Sequence, residues 1–105
     1  MDSASAVRLS DLAAPVSARG PLSLSALRPG DQGTVLSVGS PGRALTALER
    51  RLLELGFASG EHIEVIAEAR PGRDPFVVRL GATALALRRR EAASVWVSPG
   101  PPARP

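Results

Sequence analysis

His62 is the only histidine in the chain. Any Ser-His-Asp arrangement would have to use it, with a nucleophile and an orienting acid within hydrogen-bond reach. It opens a strand just after the turn Ala58-Ser59-Gly60-Glu61, where an exposed polar residue is ordinary, so no catalytic residue is assigned. Glu61, Glu64 and Glu68 are spaced along the same strand, and strict alternation places Glu64 and Glu68 on the face of His62. Three such groups offer a weak metal site at most. Hard cations and iron take more convergent ligands, so no metal ligand is assigned either. The chain has no cysteine. Disulfides, thiolate metal sites and cysteine nucleophiles are therefore excluded, and a reducing compartment fits. It has no lysine, so the phosphate-binding Gly-x-x-x-x-Gly-Lys-Ser/Thr loop is impossible in its usual form. GTP hydrolysis by that mechanism is excluded, and no cofactor is expected.

Arg88-Arg89-Arg90 is the densest run of charge. Its plain reading is a solvated link between the last two strands. Its sharper reading is a docking site for an acidic protein surface or anionic lipid, where each exposed arginine contributes about 1 kcal/mol. The net charge is +3, from 13 basic residues that are all arginine. Between Leu22 and Val97, ten arginines face eight carboxylates. That balance and the lack of an interleaved aromatic platform argue against nucleic acid as a partner. Of the three aromatic residues, Phe57 and Phe76 read as core. Trp96 points opposite Val95 and Val97. It is either a surface anchor for a protein contact or packed under one of the chain ends.

The element that organises the rest is a helix over 44–57. Leu45, Leu48, Leu52 and Leu55 recur at helical spacing and read as its core face. Glu49, Arg50, Arg51 and Glu54 fill the other side, with Arg50 and Glu54 placed to pair. Leu53 lies off the main row and is the candidate for an exposed apolar contact. Gly56 ends the helix in the left-handed conformation, and Phe57 falls where a Schellman cap returns an apolar contact to Leu52. Ser40 with Pro41 offers one possible N-terminal cap. Before the helix, Pro29-Gly30 marks a turn and Gly33 to Val38 a strand. After it come strands over 62–69, 76–80, 83–87 and 94–97. In the first of these Ile63, Val65 and Ala67 point inward. Gly81-Ala82 makes a two-residue hairpin turn, and Arg88 to Ala93 a short helical turn or tight link.

Residues 1–21, rich in Ser, Ala and Pro, read as a leader that is disordered or weakly docked. Residues 22–97 form the domain, and 98–105 a Pro-rich flexible tail. No apolar run is long enough to span a membrane, and no secretory signal stands at the start. One helix and hairpin-length links exclude a parallel βαβ winding. The fold class is mainly β: a small barrel of about five short strands, with one α-helix inserted after the first long strand.

Three blocks carry a resemblance. Leu24-Ser25-Ala26-Leu27-Arg28-Pro29-Gly30-Asp31-Gln32-Gly33, the run from Arg51 to Val65, and the run from Leu85 to Val97 together resemble the FeoA family of ferrous iron transport proteins. The likeness covers about Leu22 to Val97. It implies an SH3-like β-barrel and no catalysis. It also implies a cytoplasmic accessory of ferrous iron uptake, acting by contact with a FeoB-type membrane transporter that bears a G-domain. Such a chain would sit at the inner face of the membrane through its partner. The residues read above as available for contact are Leu53, Arg88, Arg89, Arg90 and Trp96. An alternative is an SH3-like regulatory or nucleic-acid-binding module related to the C-terminal domain of metal-dependent repressors. The residues before position 22 are too few, and too broken by proline, for the DNA-reading domain such repressors carry.

Overall fold

The computed structural model describes residues 20–101. Six antiparallel strands form one sheet: β1 (Leu22–Ser23), β2 (Gln32–Val38), β3 (His62–Glu68), β4 (Phe76–Leu80), β5 (Thr83–Leu87) and β6 (Val95–Pro99). Helix α1 (Ala47–Leu55) follows β2, and the one-turn helix α2 (Arg89–Ala92) joins β5 to β6. The strand order is β1-β6-β2-β3-β4-β5. Among the described residues β1 and β5 are the two edges, and no ladder joins them, so the sheet is not closed. The inner face holds Val35, Ile63, Val65, Phe76, Val78 and Val97, all buried. Leu24 and Leu27, from the 3-10 turn after β1, and Leu52 and Phe57, from α1 and its exit, complete this core.

Local chemistry explains the turns. Asp31 N donates to the Arg28 carbonyl at 2.9 Å across Pro29-Gly30, and Gly30 has φ +96°. That is the conformation a Pro-Gly turn needs at its third residue. The Asp31 carboxylate also accepts from Arg28 N at 2.8 Å. β4 and β5 are joined through Gly81-Ala82 with Leu80 opposite Thr83, the two-residue hairpin expected.

Helix α1 starts later than the leucine spacing suggests. Thr46 caps it: Glu49 N donates to Thr46 Oγ1 at 3.1 Å, and Thr46 N donates to Glu49 Oε1 at 2.9 Å. This reciprocal pair is a capping box, so Ser40 and Pro41 are not the cap. Glu49, expected on the solvated side, is buried as a result and also pairs with Arg43 at 3.4 Å. At the other end Gly56 has φ +116°, Gly56 N donates to the Leu53 carbonyl at 3.0 Å, and Phe57 N to the Leu52 carbonyl at 3.1 Å. Both bonds of a Schellman motif are present. The expected pairing of Arg50 with Glu54 is replaced: Arg50 Nη2 donates to the Leu45 carbonyl at 3.3 Å.

Two bulges redirect side chains. In β3, Val65 faces Val78 and Ala67 faces Val77, so Ile66 is an extra residue. A one-residue insertion moves every later side chain to the other face. Ala67, expected in the core, is exposed, and Glu68 falls opposite buried Phe76. Glu64 and Glu68 therefore lie on opposite faces, which breaks the expected alignment of both with His62. In β2, Leu36 is the extra residue between Val35 and Ser37, and it stands 40% exposed. β6 continues through Ser98 and Pro99, which pair with Thr34 and Gly33, so the paired strand enters the stretch read as tail. The expected leader lies outside the described residues, apart from Gly20 and Pro21.

Candidate functional site

The arginine run is split by the structure. Arg89 turns inward, with its side chain 17% exposed. Its Nη1 donates to the Ser25 carbonyl at 3.0 Å and to the Leu27 carbonyl, its Nε to the Arg73 carbonyl at 3.0 Å, and its Nη2 to Glu68 Oε1 at 2.8 Å. Its guanidinium carbon lies 4.0 Å from the Phe76 ring centroid, a cation–π contact. Its backbone N donates to Asp74 Oδ1 at 2.8 Å. Glu68 also receives Arg73 Nε at 3.3 Å. One side chain thus ties the turn after β1 to the end of β3, the loop before β4 and the ring of Phe76. It joins by hydrogen bonds the two sides of the sheet that no ladder joins. The planar fork of arginine suits this task, because one group reaches several acceptors at fixed angles. Arg89 is therefore not the exposed cation the run suggested. Arg88 and Arg90 are exposed.

The bulge at Ile66 is what makes this arrangement possible, since it brings Glu68 to the inner side. Strict alternation puts Glu68 on the opposite face. A mixed signal was present, because Ile66 interrupts the pattern of Ile63 and Val65, but sequence alone could not place the extra residue.

The leucine face of α1 is only partly covered. Leu52 is 1% exposed and belongs to the core. Leu48 and Leu55, read as core, are 38% and 46% exposed. Leu45 is half-buried. Leu53 is exposed at 38%, though not alone in that. A nine-residue helix ending in a tight cap leans on the sheet through one row, centred on Leu52 and carried on by Phe57. A groove of about 280 Å³ separates α1 from β5, lined by Leu48, Arg51, Leu52 and Leu55 on one side and by Leu85, Leu87 and Glu91 on the other. Its volume falls just short of the roughly 300–1,000 Å³ of small-molecule sites.

On the outer face of the sheet, Trp96 faces Ser23 of β1 and Ser37 of β2 and is 37% exposed. It points away from buried Val95 and Val97, as the alternation indicated. The bulge residue Leu36 is exposed next to Ser37 on this strand.

His62 is half-buried and shares a hydrogen bond of 3.0 Å between its Nε2 and Gln32 Oε1. The buried Nδ1 has no hydrogen-bond partner among the described residues. Neither a serine nor a carboxylate holds this ring among the described hydrogen bonds. Glu64 is occupied by Arg79 at 3.2 Å, and Glu68 by Arg73 and Arg89. Among the described residues, no group of three or more His, Cys, Asp or Glu side chains is placed to hold a metal ion, and no helix is long and apolar enough to cross a membrane.

The FeoA domain model matches residues 22–99, which takes in Ser98 and Pro99 at the end of β6. The Fe(2+) transport protein A/Fe(2+) transporter FeoB fusion protein of Porphyromonas gingivalis is 36% identical over 74 residues. That alignment takes in 70% of this chain, and the chain spans 8% of the length of this curated relative. Among solved structures, FeoA of Stenotrophomonas maltophilia, described as an SH3 domain protein, is 38% identical with a TM-score of 0.65, covering 78% of this chain and 99% of that one. FeoA of Chlorobium tepidum is 36% identical with a TM-score of 0.62, covering 73% of this chain and 69% of that one. A manganese-dependent transcriptional repressor shares the fold at 24% identity and a TM-score of 0.59, covering 74% of this chain and 41% of that one. With a family match over nearly all of the described residues and solved FeoA structures that share its fold, the chain belongs to the FeoA family, a group of SH3-like domains associated with ferrous iron transport.

Proposed function

We propose that the chain is a non-catalytic accessory of ferrous iron uptake, working at the cytoplasmic face of a FeoB-type transporter by protein contact. One observation carries this reading: in the Porphyromonas gingivalis relative a matching segment and an Fe(2+) transporter form a single polypeptide. Covalent linkage gives two modules a high effective concentration, which is useful when their contact is weak. The surface supports the same reading. Arg88 and Arg90 are exposed cations near the end of β5, and Leu53 and Trp96 are exposed apolar groups. The arginines suit acidic groups on a partner, and Leu53 and Trp96 suit apolar ones, with Trp96 as an aromatic anchor.

The test is capture of the transporter's cytosolic part by the full chain, with and without guanine nucleotide. Wild type should be retained. Arg88→Ala/Arg90→Ala and Trp96→Ala should each weaken retention, the arginine variant more steeply as salt rises. Failure of correctly folded wild type to be captured under either nucleotide condition would overturn the proposal.

A further inference from the structure

We propose that two copies of this chain pair through the free edge of β5, joining their sheets into one and covering the open leucine groove of each. Two independent observations meet here. The first is the edge itself. Among the described residues β5 pairs with β4 alone, and no strand lies along its other side. Exposed edges are usually blunted by charge, proline, a bulge or short length. β1, the opposite edge, is two residues long. β5 is Thr83-Ala84-Leu85-Ala86-Leu87, with no charge, no proline and no break in its register with β4.

The hydrogen-bonding pattern of that edge follows from the hairpin. With Leu80 and Thr83 flanking a two-residue turn, Thr83, Leu85 and Leu87 exchange bonds with β4, and Ala84 and Ala86 turn their N–H and C=O groups outward. Both alanines are exposed. An antiparallel copy set with Leu85 opposite its own counterpart places Ala84 opposite Ala86 on both sides of the two-fold axis. All outward groups of both alanines are then bonded, and no like charges meet across the ladder. The strand is self-complementary, as an isologous contact requires, and a single contact of this kind closes on itself.

The second observation is the groove. Leu48 and Leu55 stand beside Leu85, exposed at 38% and 46% among the described residues. The space between has room for side chains of an added strand and falls short of the usual small-molecule volume. Pairing of two β5 strands sets both groove faces on the same side of the joined sheet. Leu85, Leu48 and Leu55 of each copy then meet the same residues of the other. This contact needs no transporter and stands independently of the reading above.

Sedimentation velocity of the full chain over a range of concentrations tests it. The expected species has twice the mass of one chain, shifting to single chains on dilution. Ala84→Pro removes an outward N–H without touching the β4 ladder and should give single chains with an unchanged unfolding midpoint on dilution. Leu55→Glu, on an exposed site of α1, should do the same, and it decides the matter if Ala84→Pro does not fold. The register has its own readout because the chain lacks cysteine. Leu85→Cys should form an interchain disulfide under mild oxidation, since Cα atoms at a non-bonded pair lie about 4.5 Å apart, within disulfide range. Ala84→Cys should not. Wild type that stays single at every concentration, a dimer that survives Leu55→Glu, open-ended aggregates, or a disulfide at position 84 in place of 85 would each overturn the proposal.

Discussion

Arg89 and the leucine face of α1 exchange the places that their polarity assigns them. The Arg89 side chain is 17% exposed, its guanidinium among four carbonyl and carboxylate groups, while Leu48 and Leu55 stand 38% and 46% exposed at a groove. The difference lies in what each side chain finds when the chain folds. Arg89 meets enough fixed acceptors to replace its water, and a buried polar group that is fully bonded is tolerated. The leucines meet too little surface, because a short helix touches the sheet along one row. The polar side of the molecule is thus where the fold is locked, and the apolar side is where it is open.

The comparison breaks most visibly at Arg89. Arg89→Met leaves the Ser25 and Leu27 carbonyls without their donor and half-buried Glu68 with one partner. Destabilisation of about 3–5 kcal/mol is expected, as for breaking a buried pair. Urea unfolding would measure it, and a loss below that of an exposed arginine such as Arg90→Met would show that the network holds nothing together.

The helix supplies a sharper contrast within one element. Leu52→Ala should cost roughly 2–5 kcal/mol, because it opens a cavity at a fully buried site. Leu53→Ala, one residue on, should stay within about 0.5 kcal/mol, as exposed substitutions do. Unfolding midpoints of the two variants check the pair, and equal losses would contradict the exposure described for Leu53. An effect between these two is expected at the cap. Thr46→Ala removes the acceptor for Glu49 N and should cost about 1 kcal/mol. Thr46→Ser should restore most of it, measured as helical signal and unfolding midpoint together.

Much of the fold was legible in the residues. The Pro29-Gly30 turn, the Gly81-Ala82 hairpin and the Gly56-Phe57 helix exit all stand where expected, because each depends on the φ preferences of a few neighbouring residues. The order of strands around one helix followed from short links and period-two runs. The leucine spacing leaves the helix start open, and the capping box of Thr46 and Glu49 sets it in the structure. The candidate site was less legible. Arg88, Arg89 and Arg90 are alike in type and adjacent, and only the position of Glu68, Phe76 and the Ser25 and Leu27 carbonyls separates the middle one from its neighbours. Ala67 and Glu68 took opposite faces from those expected because of one extra residue at Ile66.

The sequence by itself determined the reach of the chemistry and the local geometry. With no cysteine, no lysine and a single histidine, few reactive arrangements are open to it, and glycine and proline set the turns through constraints acting within four or five residues. Only the tertiary structure decided which arginine turns inside and, among the described residues, which leucines are exposed and which strands are the edges. Those outcomes depend on the registers of strands far apart in the chain, where one inserted residue reverses every side chain after it.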